Sequence, residues 1–379
     1  MMGKMRFMQV SDLHLGKKLR ERSLFEDQAF ILDKIVRTAV DNHVDGLIIA
    51  GDIFDDGSNT TSESVNLFDR FLNNLADNEI ETYIISGNHD SMDRLNFASK
   101  FFAMKGIHIA SRPEKQMFRY TKSKDGLTVD IYLLPFMKPV HARRLYGGEI
   151  RDYNDAVKAA VDNAEFIDGK RFRILVTHQF VTAAGIPPEC SGSEKVYVGA
   201  TENVDASLFD RFDYVALGHI HKPQDVGSPR IHYCGSPLKY SVSEWRHEKG
   251  ATIIDIDDSG FTKHRVPLEP LTDMRVLEGP MQGIIDAAKG DPGKDDFIYV
   301  KLTDSPMDAM SRLREVFPKI IGMETPESVP AAVDEEEIQY EGEIDEIGTF
   351  SEFYRKCTGK ELSDSQRKVV GELLLEGSE

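Results

Sequence analysis

Short apolar runs recur along the first 220 residues, and each ends on a polar cluster. The runs at 6–10, 47–50, 82–86, 173–176 and 214–217 are β-branched or Leu-rich. Their length and composition predict strands buried on both faces. Segments with helical spacing lie between them. Phe30, Ile31, Ile35, Val36 and Ala39 predict a helix over 25–42 that turns through Asp45-Gly46 into the next strand. Val65, Leu67, Phe68, Phe71, Leu72 and Leu75 predict another over 64–75, with apolar positions covering more than one stripe. The second stripe faces either the same core or a partner. This alternation over 1–270 indicates an α/β layered core.

From residue 130 strands dominate, at 129–134, 173–176, 214–217, 230–234 and 251–256. That spacing fits the second half of a two-sheet sandwich. The stretch 182–197, rich in Gly, Pro, Ser and Glu, reads as a long surface loop of the kind often found beside sites. A small second α/β unit follows over 271–322: strand 274–277, helix 281–288, strand 297–302, helix 307–317. Residues 323–348 are acidic and Pro-containing and read as a linker. Beyond it, Phe350, Phe353, Tyr354 and Cys357 form one helical stripe. Ser363 caps a last helix carrying Val369, Val370, Leu373 and Leu374. Two amphipathic helices over 349–379 either dock on their own domain or lie in a partner's groove; we read them as partner-binding.

Composition changes this picture little. The 379 residues suffice for two or three domains, and 40% apolar with 29% charged residues is ordinary for a soluble protein. No run approaches the roughly 20 apolar residues of a membrane span, and no signal-peptide pattern precedes the first strand. A cytoplasmic location without membrane contact is expected. Cys190, Cys234 and Cys357 are too far apart for a zinc knuckle and odd in number, so they read as plain thiols of a reducing compartment. The charge matters more. With 46 Lys and Arg against 64 Asp and Glu, the net value of −18 opposes a nucleic-acid surface unless metal ions or a partner supply positive charge.

The candidate chemistry sits where the runs end. Asp12 and His14 follow the first, Gly51-Asp52 the second, Gly87-Asn88-His89-Asp90 the third, Thr177-His178 the fourth, and His219 and His221 the fifth. Carboxyl ends of strands are where open α/β sheets place their ligands. Residues two apart at a strand end point the same way, so Asp12 with His14, and His219 with His221, can each reach one ion. Asp52 can bridge two ions, or merely cap a helix. Asn88 offers a carbonyl oxygen. His89 is left to face substrate as a general acid, with Asp90 holding its ring. Taken singly, each also reads as an Asx turn, a cap or a core histidine; together they suit two hard or borderline divalent metals and phosphate-ester chemistry.

The ordered set D-x-H, GD, GNHD, TH, GHxH resembles the signature of the calcineurin-like metallophosphoesterases over about the first 240 residues. The stretches VSDLHLGK, AGDIFD, ISGNHD, the long VGATENVDASLFDRFDYVALGHIHKPQ and the tail SEFYRKCTGKELSDSQRKVVGELL resemble the bacterial SbcD family of double-strand-break repair nucleases. The resemblance implies one metal on Asp12, His14, Asp52 and His221, and a second on Asp52, Asn88, His178 and His219. It implies His89 as the catalytic imidazole, supported by Asp90, and manganese as the usual ion. It implies a capping, DNA-shaping role for 271–322, binding of an SbcC-type coiled-coil ATPase by the terminal helices, and a homodimer through helices at 64–75 and 92–104. Asp55 stands where some relatives carry a second active-site histidine, so it either orients a ligand or caps a turn.

The expected fold is thus a two-sheet α/β (α+β) sandwich metallophosphoesterase core, 1–270, with a small α/β capping domain and C-terminal helices. The expected function is a Mn-dependent DNA nuclease, a single-strand endonuclease and 3′-to-5′ duplex exonuclease, of an SbcCD-type complex in DNA repair. A small-substrate phosphoesterase would use the same ligands, and a non-catalytic scaffold would keep the fold. No P-loop occurs in this chain, so any ATPase is another polypeptide.

Overall fold

The computed structural model describes residues 3–194, 202–326, 363 and 366. The expected terminal helices, most of the acidic linker and the end of the 182–197 loop lie outside the described residues. Two six-stranded sheets face each other. The first runs, edge to edge, through Gly260–Pro267, Gly250–Asp257, Lys4–Val10, Gly46–Ala50, Thr82–Ile85 and Ile107–Ala110. The second runs through Gln224–Val226, Ser228–Tyr233, Tyr214–Gly218, Phe172–His178, Leu127–Leu134 and Phe118–Lys124. Their central strands are parallel and buried on both sides, which is why their sequences are near-continuous apolar runs. Register does the rest. Val10 is level with Ile49, Ile49 with Ile84, and Gly218 with His178, so the polar residues that follow emerge along one edge.

Three apolar layers hold this arrangement. Between the sheets, Phe7, Ile48, Tyr83 and Ile85 pack on Val129, Ile131, Ile174 and Tyr214. Outside the first sheet lie helices Phe25–Asp41 and Ser62–Asp77. The second of these buries Leu67, Phe68, Phe71, Leu72 and Leu75 in its own domain and leaves Val65 outward, so its broad apolar face is mostly core. Helices Pro139–Tyr146 and Tyr153–Asp162 cover the second sheet. The segment at 92–104 is not one helix. It breaks into Met92–Asn96 and Ser99–Ala103 because Ala98 takes a left-handed conformation between them. Among the described residues, no helix is long and apolar enough to cross a membrane.

Beyond the sandwich stands a parallel three-stranded sheet, Met274–Gly279, Phe297–Leu302 and Ile320–Glu324, with helices Met281–Ala288 and Ala309–Val316. Its last strand was not expected; it is five residues long and crosses the anticipated boundary at 322. Cys190 and Cys234 are free thiols, the first exposed and the second buried.

A buried polar tie crosses the mainly apolar layer between the sheets. Gln9 is fully buried, donates to the carbonyls of Leu217 (3.1 Å) and His232 (3.3 Å), and accepts from the Tyr214 hydroxyl at 2.8 Å. Buried polar groups left without partners cost about 1–3 kcal/mol each. Gln9→Leu is therefore expected to lower stability by about 1–3 kcal/mol in urea unfolding, because the Tyr214 hydroxyl loses its acceptor. Adding Tyr214→Phe should cost less than the sum of the two single changes. Simple additivity would mean that the two side chains do not act together.

Candidate metal centre

At the carboxyl edge the chain leaves the strands through strained turns. Asp12, His14, Asp52 and His219 have φ of 55°, 44°, 50° and 101°. Such conformations cost a side-chain-bearing residue of order 1–3 kcal/mol and gather at functional sites. The expected alignment of Asp12 with His14 by strand alternation is corrected here. The strand stops at Val10, and the left-handed turns do the aiming. Two glycines make space. A Cβ on Gly51 would lie 2.4 Å from His178 Nδ1, and one on Gly87 would lie 2.1 Å from Asp52 Oδ1.

The candidate ligands meet in two groups that share Asp52. His178 donates from Nδ1 to the Ala50 carbonyl at 2.8 Å, which turns Nε2 toward Asp52 Oδ2 (3.3 Å) and Asn88 Oδ1 (3.0 Å). His219 Nδ1 lies 3.0 Å from the same Asn88 oxygen. On the other side, His14 Nε2 is 3.6 Å from Asp52 Oδ2 and 3.1 Å from His221 Nε2, which is itself 4.0 Å from Asp12 Oδ1. His219 and His221 therefore part company. The reading that both reach one ion is corrected: the turn at His219 sends its ring toward Asn88 and the next ring toward His14.

This pocket demands positive charge. Burial works against protonating His14 and His178, yet the surrounding carboxylates outweigh it, raising both and taking His178 to about 9. Burial and the neighbouring His178 push His219 down to about 3, and its Nε2 is buried without a hydrogen-bond partner. Asp52 stays ionised far below its usual range because the His178, His14 and His89 rings overcome burial. Protons on the rings can meet that demand; so can cations held by the ring lone pairs. The donors are oxygen and imidazole without thiolate, and three sets place their ligand atoms within 4.8 Å: Asp12–His14–His221, Asp12–Asp52–His178 and His14–Asp52–His89. The residues fit divalent ions of the borderline class.

The GNHD turn works differently from expectation. Asp90 does not hold the His89 ring. Its carboxylate accepts the backbone N–H groups of Gly87 (2.8 Å), Phe54 (2.9 Å) and Ile53 (3.1 Å), tying together the loops that carry Asp52 and Asn88. Burial and the Asp52 charge raise Asp90 to about 6. The His89 ring is held by the Asp55 backbone carbonyl, 2.7 Å from Nδ1, and the residue lines the polar cleft over the centre. Asp55 contacts a candidate ligand: its carboxylate lies 3.3 Å from His14 Nδ1 and 2.8 Å from Lys17 Nζ.

Sequence reasoning missed a second set behind His221. Ser193 and Glu244 meet that ring, Glu194 and Lys249 bond the backbone of the same residue, and no local motif links the two segments that carry them. An open polar cleft of about 670 Å³ lies over the centre, lined by Lys17, Asp55, Asp56, Ser58, His89 and Ser193 among others.

Residues 5–223 match the calcineurin-like phosphoesterase family, and 270–358 match the type 5 capsule protein repressor C-terminal domain. The chain is 30% identical over 384 residues to the SbcD subunit of the SbcCD nuclease of Staphylococcus saprophyticus, covering 99% of this chain and 100% of that one. Of solved structures, the calcineurin-like phosphoesterase YfkN of Bacillus subtilis aligns over 71% of this chain and 92% of its own, at 11% identity and a TM-score of 0.37. A dimetal phosphatase from Danio rerio aligns over 70% and 99%, at 13% identity and a TM-score of 0.37.

Gly87→Ala should weaken divalent-metal binding about 10–100-fold, since the added methyl displaces the shared Asp52 carboxylate. Calorimetric titration of the folded variant checks this. Wild-type affinity would show that Asp52 does not need the space.

Proposed function

The chain belongs to the calcineurin-like phosphoesterases and, within them, to the SbcD nuclease family, and from that premise we propose that it is the DNA-cutting subunit of an SbcCD-type complex. Its activities would be Mn-dependent single-strand endonuclease and 3′-to-5′ duplex exonuclease action. The observation that carries the reading is Asp52: one buried carboxylate oxygen 3.6 Å from His14 and 3.3 Å from His178, beneath a polar cleft. A carboxylate in that position could serve two divalent ions at once.

One ion would be held by Asp12, His14, Asp52 and His221, the other by Asp52, Asn88, His178 and His219. Bound there, two divalent ions supply Lewis acidity and bring the pKa of water toward neutrality. The chain's own residues do the remaining work. His89 presents Nε2 to the cleft because Asp55 occupies Nδ1. Burial lowers the pKa of this ring, and an arriving phosphate works the other way by favouring the charged imidazolium. Nε2 is then the atom that holds a proton for the departing 3′ oxygen. Asp90 holds the Asp52 and Asn88 loops at fixed spacing.

Among the described residues the cleft carries one lysine against Asp55, Asp56 and Asp90. It is poorly suited to holding a polyanion unaided. We assign most of the grip on DNA to the SbcC-type coiled-coil ATPase partner and to the second copy of a homodimer. Phe97, Phe101 and Met104 are 82%, 74% and 81% exposed on the broken helical segment, and such a patch suits that second copy.

Two measurements test the reading. End-labelled single-stranded DNA with Mn²⁺ should be cut by the wild type, more strongly once an SbcC-type subunit is added. His89→Ser should lose about 10²–10⁴-fold of that cleavage while still binding metal. Turnover of a generic phosphodiester with DNA left intact, even with the ATPase present, would instead indicate a small-substrate enzyme. Separately, Phe97→Glu with Phe101→Glu should halve the mass seen by light scattering without altering metal uptake. An unchanged mass would place the contact between copies elsewhere.

A further inference from the structure

The two ligand groups are backed differently. Behind His178 stands a backbone carbonyl, that of Ala50. Behind the rings of the other group stand carboxylates: Asp55 at the cleft wall for His14, and Glu244 in the interior for His221. Glu244 has no exposed surface. Its Oε1 lies 3.4 Å from His221 Nδ1 and accepts from the Ser193 hydroxyl at 2.6 Å. The Ser193 Oγ is 2.9 Å from the same His221 Nδ1. The direction of these hydrogen bonds is fixed by chemistry. An ionised carboxylate only accepts, so the hydroxyl donates to Glu244 and is left to accept from the ring. His221 then carries its proton on Nδ1 and presents the Nε2 lone pair toward His14 and Asp12.

Lys249 completes the unit. Its ammonium donates to Glu244 Oε2 (2.5 Å), to Ser236 Oγ (2.8 Å) and to the backbone carbonyl of His221 itself (3.0 Å). Buried ion pairs contribute little net stability, because desolvation offsets the attraction. A pair placed against the far nitrogen of a histidine has another use, that of orienting a metal-ligating ring.

Resting on the metal-centre reading above, we propose that Glu244, acting directly and through Ser193, is the positioning residue for His221, and that Lys249 holds that carboxylate in place. Ser193 also lines the cleft. One hydroxyl thus joins the wall that meets substrate to the ring that meets metal. Glu194 reinforces the join by accepting the His221 backbone N–H at 2.7 Å. The inference also makes the two metal positions unequal: only the one containing His14 and His221 depends on side-chain carboxylates behind its rings.

The test is calorimetric titration of Mn²⁺ into the chelator-stripped full chain. Wild type should show two binding events. Ser193→Ala should weaken one of them about 10–100-fold and leave the other unchanged, and Ser193→Thr should restore it. The double variant Glu244→Gln/Lys249→Met, which avoids stranding a buried charge, should weaken the same event. Visible absorption of the Co²⁺-loaded protein should change in both weakened variants, because the geometry at His221 has changed. If the double variant does not fold, Ser193→Ala decides alone, since it leaves the ion pair intact. Two wild-type affinities and an unaltered Co²⁺ spectrum in folded variants would overturn the inference and leave the metal centre standing. A wild-type chain that takes up no divalent ion would overturn both.

Discussion

The structure is organised around one carboxylate that cannot be moved. Asp52 Oδ2 is buried between two histidine rings from different parts of the chain, His14 and His178, at 3.6 and 3.3 Å. Its other oxygen accepts the His89 N–H at 2.9 Å. Taking a carboxylate out of water is costly unless charge and hydrogen bonds surround it. Satisfying this one requires that strands from two separate sheets end at one level and turn inward within a few residues. The parallel register, the left-handed turns and the spaces kept at Gly51 and Gly87 all serve that requirement. So do the Gln9–Tyr214 and His232–Thr252 ties, which fix one sheet against the other through a mainly apolar layer.

What could be read from the sequence follows from this division. Strand ends were legible because a parallel strand buried on both faces has few polar positions until it leaves the sheet. Gly46–Ala50, buried throughout, simply runs into Gly51-Asp52. Hence the identity of nearly every candidate ligand could be named. Their partners could not, because a partner depends on φ at one residue. His219 at φ 101° is separated from His221 in function though two residues away in sequence. Asp90 looked like a support for its neighbour His89, yet its oxygens are claimed by three backbone N–H groups, two of them 36 and 37 residues distant. Glu244, Ser193 and Lys249 had no signal at all. They are single polar residues in ordinary loops and edges, made into a unit by tertiary structure alone. Helix 62–77 shows the opposite limit: its wide apolar face left core and partner equally open, and the sandwich's own core absorbs most of it.

The net charge of −18 stood against any polyanionic substrate. The site softens that objection without removing it. Asp12, Asp52 and Asp55 contribute to the acidic total, but they face inward and create a local demand for cations. Among the described residues the cleft is lined by Lys17 and several carboxylates, so bound cations would favour a polyanion there.

The small three-stranded sheet is tied to the same edge, which bears on how a substrate could be recognised. The chain between His14 and helix Phe25–Asp41 carries Lys17 at the cleft and then a two-stranded hairpin, Lys18–Leu19 with Arg22–Ser23. From that hairpin, the Arg20 guanidinium lies 5.4 Å from the centre of the Tyr299 ring, and Arg22 donates to the Pro318 carbonyl. A second tie joins Asp27 to the Thr272 N–H at 2.9 Å, just before the first strand of the small sheet. Fewer than a dozen residues thus separate a candidate metal ligand from the first contact with the small sheet. Lys17 in turn pairs with Asp55, whose carboxylate lies 3.3 Å from the His14 ring. Of the two groups of ligands, the one backed by carboxylates is therefore also the one wired to both the cleft wall and the small sheet, through Ser193 on one side and Asp55 on the other. The group built on Asn88, His178 and His219 is instead anchored by the Ala50 carbonyl behind His178 and reaches the cleft through Asn88.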